Sequence, residues 1–354
     1  MSTATAPADF LESLVRIRSH SREESEATAW LSEQMNALGY TDAHVDEAGN
    51  AVGKMGDGER LLVLLGHIDT VTGEVPVRRE DGKLYGRGTV DAKGPLAAFT
   101  LAVARVGAIP GWTIAVIGAV EEESATSKGA RHVAATWPRP EACIIGEPSS
   151  WRKICLGYKG RLLVDYRLTR EMTHTAAADR SASEFAVDFW NAVRAHADTF
   201  NEGREREFEK LSPSIRRMAS SSDGLTETAE MFVGIRIPTA VRVDDLERDL
   251  RAFATDGAEL TFSSKEEAIR TDKNNALVRA FLAAIREADG RPGFSVKTGT
   301  ADMNVVGPVW GCPILAYGPG DSNLDHTPNE HIEIDELDRS VTILESAVRH
   351  LTAE

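Results

Sequence analysis

Residues 61–91 read LLVLLGHIDTVTGEVPVRREDGKLYGRGTVD. The run Leu61–Leu65 is apolar without alternation, which predicts a strand buried on both faces of a mixed or parallel sheet. It stops abruptly at Gly66-His67-Ile68-Asp69, and a glycine-rich turn, Gly86-Arg87-Gly88, then delivers a second acid, Asp91. Polar groups at the end of a buried strand are unfavourable unless something binds there. The expectation is a metal pair whose remaining ligands come from elsewhere in the chain.

The same arrangement recurs. Thr113–Val120 is nearly all apolar and runs into Glu121-Glu122-Glu123; Ala142–Ile145 runs into Gly146-Glu147-Pro148. Open α/β sheets bind ligands beyond the carboxyl ends of their strands. Near the C-terminus, a short strand at Pro313–Tyr317 precedes the loop Asp325-His326-Thr327-Pro328-Asn329-Glu330. The candidate ligands are therefore His67, Asp91, one glutamate of the triplet, Glu147 and His326. Imidazole nitrogen and carboxylate oxygen suit zinc where no thiolates cluster. Two histidines and three carboxylates can hold two divalent ions if one carboxylate bridges them, and a non-ligand carboxylate nearby then serves as base. Spacing leaves open which of Glu121, Glu122 and Glu123 are ligand and base. Asp69 is placed to hold the far nitrogen of His67 and set its tautomer. Taken singly, each of these is an ordinary core histidine, acidic loop, helix cap or turn. Their recurrence at successive strand ends is what points to a metal centre.

The chain has 354 residues, which suggests two domains, and its composition is that of an ordinary globular protein. A net charge of −15 opposes nucleic acid or an anionic membrane as the main partner. Three widely spaced cysteines, Cys143, Cys155 and Cys312, form no CxxC motif, so they read as buried thiols in a reducing cytoplasm. The N-terminal stretch lacks the basic and apolar regions of a signal peptide, and no apolar stretch approaches membrane-spanning length. Helical spacing appears at Phe10–Arg18, Ser25–Leu38, Leu96–Val106, Asn275–Ala288 and Asp335–Leu351, and Val45–Lys54 is a weak strand whose central Gly-Asn also allows a hairpin. Between these lies a stretch of different character. Lys153–Thr169, Thr226–Pro238 and Ala258–Ser263 read as strands, Ala182–Ala197 and Val243–Ala254 as helices. This β-α-β-α-β order suggests an inserted domain, a small sheet with helices on one face.

The motifs GHIDT, GRGTVDAKG, EEE, GEPSS and DHTPNE, in this order over nearly the whole chain, resemble those of the dinuclear zinc aminoacylase and carboxypeptidase superfamily. That group includes acetylornithine deacetylase and succinyl-diaminopimelate desuccinylase. The resemblance implies an α/β fold: a mixed-sheet zinc-hydrolase catalytic domain, residues 1–156 and 265–354, with an inserted α+β ferredoxin-like lid and dimerisation domain, residues 157–264. It implies that Asp91 bridges the metals, with His67 and Glu147 on one and Glu123 and His326 on the other. Glu122 becomes the general base, with a register one residue earlier still open, and Asp69 the partner of His67. It further implies that His174 reaches the active site of a partner subunit and that Arg236 and Thr300 contact substrate. Zinc is the default metal, with cobalt or manganese able to occupy such ligands.

KTGTADMNVV and DAKGPLAAF are most similar to the branch that frees lysine, and also ornithine, from an amino-group carrier protein. There Lys297 joins Arg236 as a cation for substrate carboxylates. The implied partners are an acidic carrier protein and a second copy of the chain. Arg78-Arg79, Arg152-Lys153 and Lys159-Arg161 are the basic clusters available to meet such a carrier. The competing expectations are a deacetylase of free N-acetylornithine or a similar acyl amino acid, and a non-catalytic binding homologue.

Overall fold

The structure is a computed structural model, and it describes residues 6–172, 174 and 179–353. The chain divides into two compact units: one runs up to Gly157 and takes in Thr271–Val296 and Ala301 onward, and the other comprises Tyr158–Arg270 with Lys297–Thr300.

The first unit is built on a mixed sheet. Its strands lie in the order Asp42–Val45, Ala51–Met55, Trp112–Ala119, Arg60–His67, Ala142–Gly146, Ile314–Ala316 and Lys153–Tyr158. The four from Trp112–Ala119 to Ile314–Ala316 are mutually parallel, and their residues are almost wholly buried. That is why these strands read as unbroken apolar runs rather than alternating ones. The helix Lys93–Val106 is buried on nearly every side against this sheet and against the C-terminal helix Ile334–Ala353. The sheet admits it closely because two glycines face each other in register at the strand ends, Gly66 and Gly146. A Cβ on Gly146 would lie 2.9 Å from the Phe99 ring and 3.0 Å from the Cα of Gly66.

In the second unit, four antiparallel strands lie in the order Ser212–Ser222, Thr226–Ile237, Gly160–Glu171 and Glu259–Glu266. Leu162, Val164, Tyr166 and Leu168 alternate inward from Gly160–Glu171 and share a core with the helices Ala182–Asn201 and Val243–Phe253. With both helices the order is β-α-β-β-α-β, the ferredoxin-like arrangement. The β-α-β-α-β expectation lacks one strand, Ser212–Ser222. That strand is exposed along most of its length, so it carries no apolar alternation by which to be seen. The expected single strand Lys153–Thr169 is two, one in each unit, separated at Lys159. Of the two readings of Val45–Lys54, the structure has the hairpin: one oxygen of Asp46 accepts from the amides of Ala48, Gly49 and Asn50 and closes the turn. Among the described residues no helix is long and apolar enough to cross a membrane.

Candidate metal centre

His67 is the last residue of its strand and is almost fully buried. Its Nδ1 lies 3.0 Å from the main-chain oxygen of Asp69 and 3.5 Å from that residue's Oδ1. Its Nε2 points the other way, 3.2 Å from Asp91 Oδ1 and 3.9 Å from Glu147 Oε1. The second oxygen of Asp91 is 3.0 Å from Nε2 of His326, which in turn is 2.8 Å from Glu123 Oε1. A continuous series results, running Glu147, His67, Asp91, His326 and Glu123, with Asp91 offering a different oxygen to each imidazole.

The acidic triplet is folded sharply at its first member. Glu121 has a φ of 61°, and its amide is held by buried Glu24 at 3.1 Å. The next two amides point at Asp69, with Glu122 N to Oδ1 at 3.1 Å and Glu123 N to Oδ2 at 3.0 Å. One side chain, fully buried and also bonded by Ser21 Oγ at 2.6 Å, therefore anchors the triplet beside His67. The turn sends the three side chains to different places. Glu121 Oε2 accepts from Thr126 Oγ1 at 2.6 Å and lies 3.9 Å from Arg22, whereas Glu123 meets His326. Glu122 lies within electrostatic reach of His67, Glu147, Asp302 and Glu123.

The electrostatics are those of a site short of positive charge. Burial pushes the Glu122 carboxyl well up, and Glu147, Asp302 and Glu123 push it further, against the pull of His67. Burial also raises Glu123. Burial opposes charge on Asp91 and on His67, but the hydrogen bonds between them and their neighbours win, holding the Asp91 carboxyl far below its usual range and His67 well above. Hydrogen bonds to Asp91 and Glu123 raise His326 to about 10. Donor atoms of His67, Asp91 and Glu123 all lie within 4.8 Å of one another. Imidazole nitrogens and carboxylate oxygens converging under an excess of negative charge fit divalent metal ions.

Three supporting residues were not singled out from the sequence. Glu24 gave no signal, being one acid among many before a helix. Buried Lys93 donates to the main-chain oxygens of Leu14 at 3.2 Å and Ile17 at 2.7 Å, and burial lowers it to about 7. Glu330 sits inside the DHTPNE motif but was given no role there.

The expected substrate residues lie in the second unit. Arg236 Nη1 donates to Thr300 Oγ1 at 3.2 Å, and the main-chain oxygen of Lys297 accepts from the amide of Lys159 at 3.2 Å. His174 is exposed. The basic clusters are largely engaged at home. Arg79 pairs with Asp9 at 2.6 Å and Glu12 at 2.7 Å, and Arg78 pairs with Glu80 and lies 3.8 Å over the Tyr85 ring. Lys159 is buried, donating to main-chain oxygens of Glu207 and Lys210 and to Ser212 Oγ, so it cannot meet a partner at the surface.

Comparison with known proteins agrees with this architecture. Residues 63–350 match the model of peptidase family M20/M25/M40. A LysW-lysine hydrolase from Deinococcus radiodurans is 45% identical, with 98% of each chain covered. A LysW-lysine/LysW-ornithine hydrolase from Saccharolobus islandicus is 27% identical over 93% of this chain and 91% of its own. The fold matches a metallo-carboxypeptidase of the M20 family from Sulfolobus solfataricus with a TM-score of 0.79 at 16% identity, covering 99% of this chain and 100% of that one. With a family match over most of its length and a full-length relative at 45% identity, the chain belongs to peptidase family M20/M25/M40.

Proposed function

We propose that this chain hydrolyses the amide joining lysine, or ornithine, to an acidic amino-group carrier protein of the LysW type, with two divalent ions held around Asp91. The observation that carries the metal reading is the position of Asp91, one oxygen toward His67 and the other toward His326. The likeness to LysW-lysine hydrolases supports the substrate.

His67 and Glu147 would hold one ion and Glu123 and His326 the other, with Asp91 between. Zinc is the default for these donors, and cobalt or manganese can replace it. When bound, such a pair supplies Lewis acidity, lowering the pKa of water toward neutrality and polarising the amide carbonyl. Glu122 is the base: it takes the proton from the attacking water and hands it to the leaving amine. A carboxyl that is not itself a ligand, placed beside the metal-binding residues, is suited to both halves of that transfer. Asp69 keeps the Nδ1 proton on His67, so that Nε2 presents its lone pair to the centre. Arg236 and Lys297 bind substrate carboxylates, Thr300 contacts the substrate, and the partner subunit's His174 steadies the developing oxyanion. The second unit serves as lid and dimerisation domain, and the first carries the chemistry.

The test is turnover of a carrier protein bearing lysine on the side chain of its terminal glutamate, set against free N-acetylornithine. The carrier conjugate is expected to be the faster substrate. Preference for acetylornithine overturns the substrate, while full activity in a preparation with no bound divalent ion overturns the metal scheme.

A further inference from the structure

Asp91 sits in a turn between the short strand Lys83–Tyr85 and the helix Lys93–Val106, so neither element's own hydrogen bonding sets its place. What holds the turn is Glu330. This side chain is fully buried, where a carboxylate is costly unless its oxygens are satisfied. Oε1 accepts three main-chain amides of the turn, from Gly88 at 2.9 Å, Val90 at 3.0 Å and Asp91 itself at 3.1 Å. Oε2 takes Nη1 of Arg87 at 2.6 Å, and Nε of the same guanidinium donates to the main-chain oxygen of Gly73 at 2.9 Å. The main chain reinforces the clamp: Gly86 N–H reaches Glu330 O at 3.3 Å, and His331–Glu333 pairs with Lys83–Tyr85 just before the turn.

We infer that Glu330 is a positioning residue that sets the Asp91 carboxylate between the two imidazoles. The inference rests on the metal reading proposed above. Glu330 follows His326 by four residues in one loop. The loop that supplies one imidazole therefore also grips the amide of the residue that faces both. Displacing Glu330 would release the amide of Asp91, the residue whose carboxylate faces both His67 and His326. A carboxylate suits this task because one oxygen can accept several converging amides, and charge strengthens each bond. Arg87 balances that charge and fixes the second oxygen, so the first has one orientation.

The experiment compares Glu330→Ala, Glu330→Gln and Arg87→Ala with the unaltered enzyme. Metal affinity is read by chelator competition, and folding by circular dichroism and by the melting temperature of the metal-free proteins. Glu330→Ala is expected to weaken metal retention by about 10- to 100-fold, as loss of a residue that orients a ligand does. Glu330→Gln keeps an oxygen for the three amides and should recover most of that loss. Arg87→Ala should show a smaller weakening, because the carboxylate stays but loses its orientation. A clamp with only a structural role would lower the metal-free melting temperature and leave metal affinity untouched; that result in folded Glu330→Ala overturns the inference, as does a Gln variant that recovers nothing. If Glu330→Ala does not fold, unchanged metal affinity in Arg87→Ala overturns it equally. An unaltered enzyme that binds no divalent ion refutes the metal reading itself, and the role of Glu330 with it.

Discussion

Asp69→Ala probes the organisation of the site most directly. The carboxylate of Asp69 accepts the amides of Glu122 and Glu123 and the hydroxyl of Ser21, at 3.1, 3.0 and 2.6 Å. Alanine leaves both amides without an acceptor. A hydrogen bond to a charged group contributes about 1.5–3 kcal/mol, so the two together contribute roughly 3–6 kcal/mol. The amides are only part-buried, and water reaching them places the expected loss near the lower end. For a unit of this size each kcal/mol moves the melting temperature by about 2–4 °C, so the metal-free variant should melt roughly 6–12 °C lower. Burial works against the Asp69 carboxylate, but hydrogen bonding by His67 and the other donors outweighs it and holds the group below its usual range. With the folded value depressed, this stability is present above the ordinary value of 3.8 and is lost as pH falls through the lower folded value. Scanning calorimetry at neutral and acidic pH reads both effects. Asp69→Asn keeps one acceptor oxygen and should fall between the two. A melting temperature within about 2 °C of the unaltered protein at neutral pH would refute the idea that Asp69 anchors the triplet.

Two further outcomes follow from the same geometry. Glu122→Gln should retain its metal while kcat falls by about 10²–10⁴-fold, the usual contribution of a general base; elemental analysis with steady-state kinetics checks it, and loss of metal with the activity would instead make Glu122 a ligand. The second concerns protons. His326 is raised to about 10 by Asp91 and Glu123, so in the metal-free protein its contribution to stability is fully present below the ordinary value of 6.5 and is lost as pH rises through about 10. Metal requires that imidazole neutral, so uptake at pH 7–8 should release protons and affinity should climb toward alkaline pH. Calorimetric titration in buffers of different ionisation enthalpy measures the released protons; affinity independent of pH between 6 and 9 would contradict the charge state inferred for His326.

The strand ends were legible in the sequence because burial on both faces of a parallel sheet demands uninterrupted apolar residues, so a histidine or acid at the terminus stands out. His67, Glu147 and the acidic triplet became candidates in this way, GRGTVDAKG and DHTPNE added Asp91 and His326, and the structure brings His67, Asp91, Glu123, Glu147 and His326 together. Local composition also marked the inserted unit, since alternation replaces apolar runs after Trp151. Strand Ser212–Ser222 escaped because an exposed, polar strand has no periodicity to read.

The orientation of the triplet was beyond the sequence for a different reason. Three identical glutamates contain no difference for local reasoning to use. Their separation arises from a positive φ at Glu121 and from two amides captured by Asp69, some fifty residues away. The same holds for Glu330, whose motif was visible but whose work is done on amides some 240 residues earlier in the chain. Side-chain type and periodicity are properties of the chain in one dimension, and they suffice to say which imidazoles and carboxylates stand at the ends of which strands. Which carboxylate faces which imidazole depends on hydrogen bonds between distant segments, and those exist only once the sheet, the helix Lys93–Val106 and the 325–330 loop are folded together.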